Sequence, residues 1–142
     1  MSREEIKQIL SRCKTIAVVG LSRDPAKESY IVSQYMQKHG YRVIPVNPFA
    51  DEVLGEKSYK SLLDIPEKLQ KTIDIVDVFR KAEDVPPVAE QAITLKEKIG
   101  KPDVFWMQLG IVNAQAAEMT RKAGMTVVMD MCVMHEHIQL YG

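Results

Sequence analysis

Five short apolar runs, each followed by a polar turn and then by helical spacing, most constrain the fold of this chain. The first, TIAVV at Thr15–Val19, is continuous and rich in β-branched residues, which is typical of a strand buried on both faces. The later runs cover Arg42 to Val46, Ile73 to Phe79, Val104 to Leu109 and Met125 to Val133. Parallel strands joined by right-handed helical crossovers satisfy this alternation most simply. The sequence therefore predicts one doubly wound α/β domain with about five parallel strands.

The order of these strands is less constrained than their number. We prefer the order 3-2-1-4-5, with the flavodoxin-like order 2-1-3-4-5 as the alternative. Ser2 and Glu5 have the spacing of a capping box that begins a first helix, and Cys13 continues the apolar stripe of that helix, so we expect it to pack in the core. Residues 49–58 are expected to form a surface loop.

Composition excludes several classes of protein. The 142 residues include 19 Lys and Arg and 19 Asp and Glu, so the chain lacks the basic surplus of nucleic-acid-binding proteins. No apolar run approaches the roughly 18–20 residues of a membrane span, and the charged N-terminus does not resemble a signal peptide. Two cysteines are too few for a disulfide scaffold. We therefore expect a single-domain cytoplasmic protein with neither nucleic acid nor membrane as a partner.

Candidate binding residues follow the strands, because ligands of open α/β sheets bind beyond the carboxyl ends of the strands. These ends carry small residues, amides, hydroxyls and cations: Gly20 to Arg23, Val46 to Pro48, Phe79 to Lys81, Gln108 to Gly110 and Asp130 to Cys132. Such a set suits a phosphorylated ligand with a polar head and an extended body.

The loop after the first strand is the most informative of these ends. Gly20 lets backbone N–H groups approach a phosphate closely, and the start of the next helix adds about half a positive charge. Ser22 and Ser29 supply hydroxyl groups, and Arg23 or Lys27 supplies charge. The loop therefore favours phosphate binding over a plain strand-to-helix turn.

The same ends argue against a dinucleotide-binding or nucleotide-hydrolysing enzyme. A dinucleotide fingerprint needs G-x-G-x-x-G, whereas this chain has Gly20, Ser22 and Pro25 at those positions. The second strand closes with VNP at residues 46–48, without the acidic residue that holds a ribose of NAD. Because a Walker A lysine and a G-x-S-x-G elbow are also missing, we expect a binding protein rather than an enzyme.

Several segments, in order and at matching spacing, resemble a known family. They are VVGLSRDPAKESY, YRVIPVNP, IDIVDVFRKAEDVPPV, VFWMQLGIVNAQAAEMTRKAGMTVVMDMC and the closing Glu136-His137. From about Thr15 to His137 the chain is similar to the small stand-alone CoA-binding proteins. Their Rossmann-like fold is shared with the CoA-binding domain at the start of the succinyl-CoA synthetase α subunit. The resemblance implies a Rossmann-like fold that binds CoA or an acyl-CoA, and it leaves a protein partner and self-association open.

The resemblance also implies which residues lie near each part of CoA. The loop after the first strand would hold the diphosphate, with Gly20, Leu21, Ser22, Lys27, Ser29 and Tyr30. Two turns would flank the adenosine, one with Pro45, Asn47 and Pro48 and the other with Val78, Phe79 and Arg80. Gln108 and Gly110, with Trp106, would border the pantetheine arm. Where the family often has Asp-Arg-Cys, this chain has Asp130-Met131-Cys132, so one cation is missing.

The stretch Met129–His137, MDMCVMHEH, contains several side chains that bind soft metals. If it ends the fifth strand, alternation separates Met129, Met131, Val133 and His135 from Asp130, Cys132 and Met134. Cys132 and His135 then do not converge on one ion, so we expect no metal site. Two alternatives to a CoA-binding protein stay open: a redox or acyl-transfer enzyme in which Cys132 reacts with the CoA thiol, and a metal-binding protein built on this stretch.

Overall fold

The computed structural model describes residues 1–142, which form six α-helices and seven strands. The helices are α1 (Arg3–Arg12), α2 (Glu28–Lys38), α3 (Glu67–Gln70), α4 (Val85–Ile99), α5 (Ala114–Lys122) and α6 (Val133–Tyr141). The strands are β1 (Thr15–Val19), β2 (Arg42–Val46), β3 (Glu52–Val53), β4 (Glu56–Lys57), β5 (Ile75–Val78), β6 (Val104–Met107) and β7 (Thr126–Val128). Five of them, β1, β2, β5, β6 and β7, pair in parallel, which confirms the predicted doubly wound α/β fold.

The sheet has the order β2-β1-β5-β6-β7, so the preferred order 3-2-1-4-5 is wrong and the alternative 2-1-3-4-5 is correct. Pro45 of β2 supplies the physical reason. Proline has no N–H to donate to a neighbouring strand and therefore suits an edge strand, whereas the order 3-2-1-4-5 would have placed β2 inside the sheet. On the outer side of β2, the Pro45 carbonyl accepts a hydrogen bond from the Tyr59 N–H at 3.1 Å.

Helices cover both faces of the sheet, because the side chains of buried strands alternate between the two faces. Helices α1, α2 and α6 pack on one face, where Trp106 of β6 is fully buried. Helices α4 and α5 pack on the opposite face around Phe105 of the same strand. None of the helices combines the length and the apolar character that a membrane span requires.

The first helix begins as the sequence predicts. The Ser2 hydroxyl accepts a hydrogen bond from the Glu5 N–H at 3.2 Å and donates one to the Glu5 carboxylate at 3.0 Å. Cys13 follows the helix and is only 1% exposed, which confirms that it packs in the core. Burial, followed by the nearby charges of Asp74 and Asp103, raises the pKa of the Cys13 thiol to about 11. This thiol is therefore a packing group rather than a nucleophile.

The structure corrects two sequence-based predictions. Residues 49–58 contain the antiparallel hairpin β3–β4 rather than a loop alone. The fifth strand ends at Val128 instead of Val133, because Asp130 adopts a left-handed backbone with φ of 63° and breaks the extended chain. Helix α6 then starts at Val133, so the stretch Met129–His137 is a turn followed by a helix. The prediction that alternate residues of this stretch face opposite sides of a strand is therefore wrong.

Candidate functional site

A cavity of about 370 Å³ opens at the carboxyl ends of β1, β5 and β6. It lies where the strand order reverses, since β2 and β5 flank β1 on opposite sides. This is the position at which open α/β sheets bind ligands. The wall residues are Gly20, Ser22, Lys27, Glu28, Ser29, Phe79, Arg80, Lys81, Gln108, Leu109 and Ile111.

A second cavity, of about 250 Å³, lies beside the first and shares Arg80 with it. Its inner wall includes Val19 and Val88, which belong to the core on the α4 side of the sheet. The wall residues are Val19, Val46, Pro48, Lys60, Ser61, Arg80, Asp84, Pro87, Val88 and Gln91. Because Arg80 lines both cavities, they are neighbours at the carboxyl edge of the sheet, and we call them the two arms of one path.

Gly20 allows the residues that follow β1 and β5 to lie in contact at the centre of this path. Its φ is +90°, and an added Cβ would lie 2.2 Å from the Phe79 carbonyl oxygen and 3.2 Å from Cδ of Arg80. Both the backbone conformation and the missing space require glycine at this position. Gly20 thereby brings the Phe79-Arg80 turn against the loop that precedes α2.

The loop between β1 and α2 is held in place by its own serines and aspartate. The Ser29 hydroxyl accepts a hydrogen bond from the Ser22 N–H at 2.9 Å. The Ser22 hydroxyl accepts one from the Asp24 N–H at 3.0 Å, and the Asp24 carboxylate accepts one from the Ala26 N–H at 3.0 Å. No side chain caps the N-terminus of α2, which reaches the cavity at Lys27. The helix dipole therefore adds to the positive potential at the cavity wall.

Four cations line the two cavities without a partner inside the protein. Lys27 and Lys81 line the first cavity, Lys60 lines the second, and Arg80 lines both. All salt bridges of the protein are made by other lysines, Lys71, Lys96, Lys101 and Lys122. Only two carboxylates, Glu28 and Asp84, line the cavities. The arrangement carries an excess of unpaired positive charge and suits a ligand with several negative charges.

The structure brings most of the sequence-predicted binding residues to this path. The first cavity is lined by Gly20, Ser22, Lys27, Ser29, Phe79, Arg80 and Gln108, and the second by Pro48 and Arg80. The remaining predicted residues line neither cavity: Leu21, Arg23, Tyr30, Pro45, Asn47, Val78, Trp106 and Gly110.

Some of those remaining residues support the cavity walls from behind. The Asn47 amide donates a hydrogen bond to the Leu21 carbonyl at 2.9 Å and so joins the loops after β1 and β2. The Gly110 N–H donates to the Asp130 carboxylate at 2.6 Å. Leu21 and Val78 are fully buried, so their side chains contribute to the core.

Sequence reasoning missed several wall residues. Glu28 and Ile111 are direct chain neighbours of predicted residues, so wider limits would have included them. Lys81 and Leu109 lie within the predicted strand ends, although no part of CoA was assigned to them. Lys60 and Ser61 had no such signal. They reach the second cavity because the chain returns along the outer edge of β2, where Asn47 N–H donates to the Tyr59 carbonyl at 2.8 Å.

The cysteine of the MDMCVMHEH stretch does not lie in the cavity wall. Cys132 is 6% exposed and occupies the N-cap of α6, behind Gln108, whose side-chain oxygen accepts the Val133 N–H at 3.1 Å. The prediction that Cys132 ends a strand is therefore wrong, and Cys132 lines neither cavity. No three His, Cys, Asp or Glu side chains lie together in a group that could hold a metal ion.

Asp77 lies beneath the first cavity, two residues before Phe79 in the chain. It is 1% exposed, and its Oδ1 atom has no hydrogen-bond partner. In the sheet it pairs with Val18 on one side and Trp106 on the other. Burial raises the pKa of the Asp77 carboxyl well above its usual range, because the charged form would lose its hydration.

This burial predicts a pH-dependent effect of Asp77→Asn on stability. The pKa of Asp77 is higher in the folded protein than in the unfolded chain, where it is near 4. The contribution of the Asp77 carboxyl group to stability is therefore complete below about pH 4 and is lost as the pH rises toward the folded-state pKa. The free energy of unfolding of D77N, relative to that of the wild type, should therefore increase with pH by up to about 1.4 kcal/mol per pH unit between these two pKa values. Urea denaturation from pH 4 to pH 7 measures the difference, and a difference independent of pH would contradict the prediction.

Asp74→Asn provides a control of opposite sign. Although burial acts to raise its pKa, hydrogen bonds from the Lys14 N–H and the Lys101 ammonium lower the pKa of Asp74. Its contribution to stability is therefore present at neutral pH and is lost as pH falls through the lowered folded pKa. D74N should lose stability relative to the wild type at neutral pH, and the loss should shrink below about pH 4.

Known proteins are similar to this chain in sequence and in fold. Residues 14–138 match the CoA binding domain family. The uncharacterized protein YneT of Bacillus subtilis is 47% identical over 136 residues, which cover 96% of this chain and 94% of that protein. The structure of a hypothetical protein from Pyrococcus horikoshii is 41% identical, with a TM-score of 0.90, and the match covers 100% of this chain and 94% of that one.

A shorter match reaches larger proteins. The acetate–CoA ligase (ADP-forming) II subunit alpha of Pyrococcus furiosus is 42% identical over 62 residues, which are 43% of this chain and 14% of the ligase subunit. These matches confirm the family resemblance that the sequence motifs indicated. From residue 14 to residue 138, the chain belongs to the CoA-binding domain family.

Proposed function

We propose that the protein binds CoA or an acyl-CoA along the path formed by the two cavities. The observation that carries this proposal is the set of four unpaired cations at the carboxyl edge of the sheet, in a member of the CoA-binding domain family. CoA carries a diphosphate and a 3′-phosphate near one end of a long, flexible molecule. Unpaired cations and a helix N-terminus are complementary to those phosphates.

The two arms of the path suit different parts of this ligand. The diphosphate lies at the N-terminus of α2, where Lys27 and the hydroxyls of Ser22 and Ser29 are available. The adenosine with its 3′-phosphate enters the second cavity, which offers the flat face of Pro48 and the ammonium group of Lys60. Arg80, common to both arms, contacts phosphate between them.

The pantetheine arm follows the remaining wall of the first cavity. Gln108, Leu109 and Ile111 there combine one amide with apolar side chains. Pantetheine has the same composition, with two amides separated by short apolar segments. Because the volumes of about 370 and 250 Å³ lie in or near the usual range for ligand pockets, a path of both cavities can enclose much of CoA.

Calorimetric titration with CoA, dephospho-CoA, NAD and ATP tests the proposal. We expect one CoA to bind per chain, dephospho-CoA to bind more weakly because it lacks the 3′-phosphate, and NAD not to bind. ATP, which has the adenine and phosphates but no pantetheine, should bind more weakly than CoA. Binding of NAD without binding of CoA would contradict the proposed function.

A further inference from the structure

Asp130 holds a costly backbone conformation at the back of the first cavity. Its φ is 63°, and the other non-glycine residue of this chain with a positive φ is Leu54, at 54°. Among non-glycine residues, aspartate and asparagine adopt the left-handed conformation most readily, although less readily than glycine. Glycine would adopt this turn at lower cost, but it would lack the contribution that the aspartate side chain makes.

That contribution is a hydrogen bond to the wall of the cavity. The Asp130 carboxylate accepts the Gly110 N–H at 2.6 Å. Gly110 lies between Leu109 and Ile111, and both of these side chains line the first cavity. The Asp130 side chain is exposed and does not itself line the cavity, so it acts on the wall from outside.

The residues after Asp130 extend the same support along the wall. The Trp106 indole N–H donates to the Met131 carbonyl at 2.7 Å, and the Met131 N–H donates to the Met107 carbonyl at 3.4 Å. The Val133 N–H donates to the side-chain oxygen of Gln108 at 3.1 Å. Strand β7 has already ended at this level, so these bonds to Trp106, Met107 and Gln108 replace the missing sheet pairing along β6.

The bond to Gln108 also sets the direction of its side chain. An N–H donor requires the amide oxygen on its side, so the Gln108 amide nitrogen is turned away from Val133. That nitrogen makes no hydrogen bond within the protein and is not among the fully buried unpartnered atoms. The wall therefore presents a free N–H donor in a fixed orientation, beside Leu109.

We infer that Asp130 is a positioning residue for the ligand, and that the turn from Asp130 to Val133 pre-organises the wall from Gln108 to Ile111. This role rests on the proposed CoA site. Fixing the wall before binding removes part of the entropy that a mobile loop would lose on contact with the ligand. Asp130 thus contributes to affinity without touching the ligand.

Two variants at Asp130 separate the side-chain bond from the backbone conformation. Asp130→Gly relieves the left-handed strain but removes the acceptor, whereas Asp130→Asn tolerates the conformation and keeps an acceptor oxygen. We expect the Kd for CoA to rise about tenfold in D130G and to stay within about twofold of wild type in D130N. Amide hydrogen exchange at Gly110 in the ligand-free protein should be faster in D130G and unchanged in D130N.

Leu54→Gly is the matched control, because it relieves the other left-handed non-glycine residue, in the β3–β4 turn that lines neither cavity. It should leave the Kd for CoA unchanged. Equal CoA affinity of D130G and wild type would overturn the positioning role while leaving the proposed function intact. Absence of CoA binding by the wild type would instead overturn the proposed function and this role together.

Discussion

Gly20→Ala should destabilise the fold by about 3 kcal/mol or more and abolish detectable CoA binding. The added methyl group would lie 2.2 Å from the Phe79 carbonyl oxygen, on a residue whose φ is +90°. To relieve this clash, the residues that follow β1 and β5 have to separate. Their separation moves Arg80 away from the β1–α2 loop that contains Ser22. Urea denaturation and calorimetry with CoA measure the two effects.

Gly40→Ala isolates the conformational part of this loss. Gly40 has a φ of +93°, close to that of Gly20, but an added Cβ there meets no atom within 4 Å. G40A should therefore cost only about 1 to 2 kcal/mol and leave CoA binding unchanged. If G20A and G40A lost the same free energy of unfolding, the close contact between Gly20 and Phe79 would not contribute to the loss in G20A.

Arg80→Ala should weaken CoA binding on the order of 50-fold, a larger loss than the about tenfold loss expected for Asp130→Gly. Its side chain lines both cavities and makes no salt bridge in the protein, so its loss removes charge from the junction of the two arms. The free energy of unfolding should change little, because the residue is exposed and unpaired. Calorimetry gives the affinity and urea denaturation gives the stability.

Two further variants make the Arg80 result specific. Arg80→Lys keeps the charge but loses the planar pair of donors, so its affinity should lie between those of wild type and R80A. Arg121→Ala removes an exposed arginine from the last turn of α5, which lines neither cavity, and should leave CoA affinity unchanged. Similar losses in R80A and R121A would mean that only the overall charge of the protein matters.

The strands of the sheet could be predicted from the sequence because each buried parallel strand is encoded by a continuous apolar run. The runs at Thr15–Val19 and Arg42–Val46 coincide with β1 and β2. The order of the strands also has a local signal, since Pro45, which lacks an N–H, marks β2 as an edge strand. The first loop was predictable because Gly20, Ser22 and Ser29 act within one short segment.

What sequence could not predict depends on contacts between distant segments. The left-handed turn at Asp130 is stabilised by Gly110, 20 residues earlier in the chain, and no local pattern signals that bond. Without the turn, the residues after Val128 continue the apolar run and are typical of a longer strand. Lys60 likewise reaches the second cavity only because Tyr59 pairs with β2.

The pairing of Tyr59 with β2 has a consequence for how copies of the chain meet. An exposed edge strand offers unpaired N–H and carbonyl groups to the sheets of other molecules, and proteins protect such edges with proline, covering segments or very short strands. Here the outer side of β2 has Pro45 and is occupied by Tyr59, while the opposite edge strand, β7, has three residues. Both edges of the sheet are therefore protected against the addition of a strand from another molecule.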